Sequence, residues 1–342
     1  MRALVLCAFA VSLCSIVFAG GAPVAKLVEV RKIWDQAPHN AFTDLIRFKD
    51  RWFCAFREGK GHVCDTGKLR VLASADGQGW KPVALMAWEG GDVRDAKLSI
   101  TADGQLMLNG AVRLIKPVEG QTHQSITWLS PDGETWGEPN RVADPNFWMW
   151  SATWHKGTGY GIGYGTAGKR LIRLYHTRDG KAWEMLADDL FPGGTYANET
   201  SLVFAPSTSL RAGPDDTAYC LLRRDSHTNT AQLGTARPPY AEWAWKDLGV
   251  RIGGPKMIRL ADGRFLATVR LYDKRQRTAL CSIDPEKGAL SEILTFPSGG
   301  DTSYAGMVLH DGLLWLSYYS SHEGKTSIYL AKVSLEPPQG VR

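Results

Sequence analysis

The sequence predicts an all-β fold, a six-bladed β-propeller with four-stranded antiparallel blades. Three observations lead there. An apolar hairpin recurs six times along the chain, short Asp-Gly turns punctuate it, and a second signature, S/T-x-D-G-x-x-W, follows the first three copies. The copies start about 50 residues apart, the length of one four-stranded blade with its connections.

The first unit is an apolar strand over 42–48, a polar turn at 49–51 and a second strand over 52–57. The same hairpin returns from Ala96, Ser151, Glu199, Pro255 and Ala305. Turns such as Asp103-Gly104, Asp262-Gly263 and Asp311-Gly312 suit tight strand connections. The strands read as nearly continuous apolar runs, as strands packed on both faces do. The second signature spans Ser74 to Trp80, Ser130 to Trp136 and Thr177 to Trp183. Its chemistry is structural: the Asp carboxylate accepts backbone N–H groups across a turn, Gly supplies positive φ, and Trp fills the space between sheets. Units four to six lack the full pattern, as in 281–288. The apolar strand over 27–33 is expected to join the last blade from outside and close the ring, which protects the sheet edges.

Arg2, the apolar run from Ala3 to Phe18 and the small residues around Ala19 read as a secretory signal cleaved after Ala19. The run is shorter than the roughly 20 residues that cross a bilayer. Residues 20–342 are then expected to form one propeller domain, exported to the periplasm or beyond and with no membrane association after signal removal. The net charge of +5 arises from 40 basic and 35 acidic residues without any run of like charge, so nothing marks a nucleic-acid partner. Removing the signal leaves Cys54, Cys64, Cys220 and Cys281, too few for a disulfide framework. A Cys54–Cys64 bridge across one strand connection stays open, while Cys220 and Cys281 sit in apolar strands. No CxxC or HExxH occurs, so no metal site and no cofactor is expected.

In a propeller, residues just before each inner strand and just after its partner share one face. Before the inner strands stand His39-Asn40, Asp92 to Asp95, Trp148 and Trp150, Asn198-Glu199, Gly253-Gly254 and Asp301 to Tyr304. After the second strands stand Arg57-Glu58, Arg113, Arg223-Arg224-Asp225, Arg270 and Ser320 to Glu323. Arginines, carboxylates and aromatics at element ends point to a binding site. Arginine forks hold carboxylate or sulfate, and aromatics stack on sugars. The same arginines could also be paired with Glu58, Asp95 and Asp225 inside a sealed channel. Arg57, Arg94, Arg223 and Arg270 are expected to face a common pocket, with Arg224 and His322 as further substrate-binding residues.

The three S/T-x-D-G-x-x-W boxes, the six units, and Asn198-Glu199 of unit four with Ser303 to Gly306 of unit six resemble the sialidase superfamily over nearly the whole mature chain. In that family a Tyr of the last blade is the nucleophile, a Glu of blade four raises its reactivity, an Asp of blade one is the acid/base, and three arginines hold the substrate carboxylate. By position the resemblance implies Tyr304 as the Tyr, Glu199 as the Glu, Arg223 as the second Arg and, more loosely, Arg270 as the third. A phenol with pKa near 10 needs such a carboxylate to take its proton before attack. The chain also departs from the family. Where an Arg-Ile-Pro is expected it has 40–44, without Arg, so the first Arg is missing or replaced by Arg57 or Arg94. Asp95, Asp65 and His62 all stand as choices for the acid/base.

The resemblance thus implies an exo-acting glycoside hydrolase on an acidic or otherwise Arg-recognised sugar, with a carbohydrate as partner. Two other readings stay open: a polysaccharide lyase on uronate polymers, using His62, His322 and Tyr304, and a non-catalytic carbohydrate-binding propeller.

Overall fold

A computed structural model describes residues 24–193, 195–205, 216–225 and 229–336. The expected signal segment 1–19, with Cys7 and Cys14, lies outside the described residues. Every regular element among them is a β-strand, and the strands form six four-stranded antiparallel sheets. The innermost strands are His39–Phe48, Gly91–Ile100, Phe147–His155, Tyr196–Ala205, Ile252–Arg259 and Thr302–His310. The ring closes as the sequence predicts: Ala25–Trp34 pairs with Ser327–Leu335 as the outer strand of blade six.

The apolar hairpins become the buried inner halves of the blades. In blade one the innermost strand is buried along nearly its whole length, whereas the outermost strand Lys81–Met86 is largely exposed. Between blades, the S/T-x-D-G-x-x-W turns act as wedges. Asp132 accepts the N–H groups of Glu134 and Thr135 at 2.8 and 2.7 Å, and the Trp136 indole donates to the Gly133 carbonyl at 3.2 Å. Asp76 and Asp179 repeat this turn. Gly133, with φ of 82°, leaves no room for a side chain, since a Cβ there would stand 2.3 Å from Phe53 of the preceding blade. The fifth unit has lost the Trp yet keeps the turn, because Asp284 still accepts the N–H groups of Glu286 and Lys287 at 3.0 Å each.

Cys54, Cys64, Cys220 and Cys281 are all free. The Cys54–Cys64 bridge does not form because Cys54 points into the core while Cys64 lies in the following loop, where it accepts from Arg57 at 3.0 Å.

One irregularity repeats in all six blades. Each innermost strand carries a β-bulge at the same height: Phe42-Thr43, Asp95-Ala96, Trp150-Ser151, Asn198-Glu199, Gly254-Pro255 and Tyr304-Ala305 each oppose a single residue of the neighbouring strand. The first bulged residue has positive φ in four blades: Phe42 62°, Asp95 57°, Gly254 55° and Tyr304 53°. Left-handed backbone is costly for a residue with a side chain and is found where the surroundings over-determine it. Bulges re-aim side chains. Just past the bulge, Asp44, Lys97 and Lys256 share one level; Lys256 pairs with Asp44 at 3.0 Å, and Lys97 donates to the Thr43 carbonyl at 3.0 Å.

Candidate active site

Four of the six bulges bring a residue to one pocket of about 260 Å³: Phe42, Asp95, Glu199 and Tyr304, each from a different blade. Tyr304 donates its phenol hydrogen to Glu199 Oε1 at 2.6 Å. Arg223 Nη1 donates to the same Oε1 at 2.5 Å and to Tyr304 Oη at 2.9 Å, and its other donors reach Asp225. The second Glu199 oxygen accepts the Gly254 N–H at 2.8 Å. The glycine is required there, since a Cβ on residue 254 would stand 2.6 Å from Tyr304 Cδ2.

These contacts set the charges. Burial pushes the Glu199 carboxyl up, but the Arg223 guanidinium and the donors around it outweigh this and hold it below its ordinary value. Burial and the Glu199 charge raise Tyr304 well above an ordinary phenol, so it rests protonated beside an ionised carboxylate. Asp95 has the opposite environment. Its carboxyl is buried, has no hydrogen-bond partner among the described residues and faces Glu199 electrostatically. Burial raises it to about 6, against the pull of Arg94. Two carboxylates on one pocket with pKa values pushed apart are the arrangement that separates a base from an acid.

The remaining wall combines cations and aromatics. Arg94 lies over the Phe42 ring at 5.1 Å and donates to the His62 carbonyl at 3.0 Å. Arg113 pairs with Asp65 at 3.0 Å. His123 is driven down to about 4 by burial and by Arg113 and Arg94, so a neutral imidazole lines the pocket. Trp148 and Tyr164 stack nearly parallel at 6.0 Å.

Of the sequence-derived site residues, Tyr304, Glu199, Asp95, His62 and Arg94 line the pocket, and Arg223 contacts the first two directly. Arg270 is not among the lining residues: it lies under the Tyr304 ring, 5.2 Å from its centre, with its guanidinium held by Asp301, Tyr319 and the Thr302 carbonyl. Four residues stand apart. Arg57 is fully buried and spent on Asp92 at 2.8 Å and the Gly61 carbonyl at 2.9 Å, so the expectation that it shares the pocket fails. Arg224 points to the opposite face of its strand from Arg223, toward Thr230 and Asp247, because successive strand residues alternate. His322 bonds Ser320 at 2.9 Å and packs on Tyr329 outside the pocket. Asp65 is exposed and reaches the site only through Arg113. Phe42, His123 and Tyr164 were not singled out from sequence, and Phe42 takes the blade-one place of Asp95 and Tyr304 only through the strand registers.

No family model matches the chain, and no curated protein matches it by sequence. Solved structures do. A protein of unknown function from Dyadobacter fermentans superposes with a TM-score of 0.78 at 18% identity, covering 91% of this chain and 99% of its own. A Trypanosoma rangeli sialidase gives 0.67 at 11% identity, covering 91% of this chain, which spans 60% of the sialidase's length. A Penicillium chrysogenum α-L-arabinanase in complex with arabinobiose gives 0.65 at 12% identity, covering 93% and 100%. At these identities the likeness establishes the fold, that of the sialidase-like six-bladed propellers.

Proposed function

We propose that the protein is an exported exo-acting glycoside hydrolase that uses Tyr304 as nucleophile, Glu199 as its base and Asp95 as proton donor, on an acidic or otherwise Arg-recognised sugar. The observation that carries this reading is the triangle of Tyr304, Glu199 and Arg223, closed by contacts of 2.5–2.9 Å on a pocket wall. The phenol rests protonated, so its proton passes to Glu199 only as oxygen attacks the anomeric carbon; Arg223, 2.9 Å away, steadies the charge developing on Oη. Asp95, protonated below about pH 6, gives its proton to the departing glycosidic oxygen and then takes one from the water that releases the sugar. A tyrosine also avoids presenting a second carboxylate to an anionic substrate.

The pocket is small beside the roughly 300–1,000 Å³ of common ligand sites and suits one terminal sugar residue rather than a polymer. Arg94 and Arg113 are the arginines that line it, so the acidic or otherwise Arg-binding group of the sugar is placed on the blade-two wall, with the ring against Trp148 and Tyr164. The experiment is a screen of purified protein against aryl glycosides and uronate polymers. Release of a free sugar and aryl alcohol supports the hydrolase. An unsaturated product would make it a lyase, and tight binding without product a carbohydrate-binding propeller.

A further inference from the structure

Two ion pairs between neighbouring blades occupy equivalent places in the ring. Arg57 of blade one reaches Asp92 of blade two, and Arg270 of blade five reaches Asp301 of blade six; each aspartate lies two residues before the last paired residue ahead of its blade's bulge, and each arginine sits opposite that residue, in blades one and five. In the first copy the pair is sealed, with both side chains fully buried. The second copy differs in a way that joining blades does not require. Arg270 Nη2 at 3.2 Å and Tyr319 Oη at 2.7 Å both sit on Asp301 Oδ1. The other oxygen is turned to two imidazoles: His39 Nε2 at 3.0 Å and His62 Nδ1 at 2.7 Å.

We propose that His39, His62 and Asp301 form a site for one divalent cation of the zinc class. Their three donor atoms all lie within 4.8 Å of one another. The donor set, two imidazole nitrogens and a carboxylate oxygen, is one that Zn²⁺ takes, and three protein ligands with a fourth place open is the pattern of a zinc that meets a substrate or water. The carboxylate is oriented by a hydroxyl and a guanidinium on its far oxygen, as metal-ligating carboxylates are. His39 is buried, and Nε2 is the ring nitrogen that it turns to Asp301. The two rings meet edge-on at 5.6 Å, and Phe42 packs edge-on against His62 at 5.2 Å, which limits the movement of its loop. His62 also lines the pocket that holds Tyr304, so the cation site adjoins that pocket. There a bound cation would hold a sugar hydroxyl or carboxylate; that role rests on the glycosidase reading, whereas cation binding does not.

The test measures binding, so it stands whatever the enzyme assays give. Untagged mature protein is stripped with chelator and titrated with ZnCl₂ by calorimetry, and a Co²⁺-loaded sample is read by visible absorption. One ion per chain is expected, with a Co²⁺ spectrum of nitrogen and oxygen ligation. His62→Ala, on an exposed loop, should keep the wild-type thermal unfolding and weaken Zn²⁺ binding at least about 100-fold; His39→Ala should do the same to binding. No stoichiometric Zn²⁺ uptake by the wild type, or equal affinity in His62→Ala, overturns the proposal and leaves Asp301 with two hydrogen-bonded imidazoles.

Discussion

Tyr304 Oη and Glu199 Oε1 stand 2.6 Å apart although 105 residues of chain separate them. They meet because the bulges of blades four and six sit at the same height and turn both side chains into the channel mouth. Nothing in strand packing requires a phenol and an ionised carboxylate to share that place.

Asp95 couples function to stability, and replacing it should move the two in opposite directions. Its folded-state value of about 6 is above the ordinary aspartate value, so the folded chain holds a proton that the unfolded chain has lost between roughly pH 4 and 6. Its contribution to stability is therefore intact below that window, is lost as pH rises through about 6, and leaves a cost on the order of 2–3 kcal/mol above it. Asp95→Asn should raise the melting temperature at pH 7.5 and give no gain near pH 4. Positive φ suits Asn. In the hydrolase, activity should fall as pH rises through about 6, and Asp95→Asn should abolish the pH-dependent limb along with most turnover. A pH–rate profile with no limb near 6 counts against Asp95 as the acid.

Arg223→Lys should separate charge from geometry. A lysine keeps the charge but cannot span Glu199, Tyr304 and Asp225 as the guanidinium does. Glu199 loses part of what holds it ionised, so its pKa rises and activity fails at a higher pH on the acid side. Turnover should drop by about 100-fold. An unmoved acid limb would show that Arg223 does not control Glu199.

Gly254→Ala tests the packing behind the nucleophile. The new methyl would press on the Tyr304 ring and occupy a left-handed backbone. A destabilisation of about 1–3 kcal/mol is expected, with a loss of turnover larger than any change in KM. Unchanged kinetics would mean that the Tyr304 position tolerates displacement.

Much of this was legible in sequence. Hairpin period, Asp-Gly turns and the S/T-x-D-G-x-x-W wedges carry their own residue types, so the ring and its closure by the N-terminal strand follow from pattern. The bulges carry none: Phe42, Asp95, Gly254 and Tyr304 have no residue type in common, and they align only once strand registers are known. Register also decides between neighbours. Arg223 faces the site and Arg224 the other side, and no composition rule separates them. Arg57 looked like a substrate ligand from its place at a strand end, and only its pairing with Asp92 shows that it joins two blades. The cluster of His39, His62 and Asp301 comes from both ends of the chain, so no local motif announces it.

The most direct test of the central claim is steady-state hydrolysis of the best aryl glycoside by wild type and Tyr304→Phe, which removes one oxygen and leaves a ring packed against Phe42 and Trp150 at 5.1 and 5.6 Å. With Tyr304 as nucleophile, kcat should fall by at least about 1,000-fold, more than 4 kcal/mol of transition-state stabilisation, while KM and thermal unfolding stay close to wild type. A Tyr304→Phe enzyme within about tenfold of wild-type turnover contradicts the account and reduces Tyr304 to a wall of the pocket.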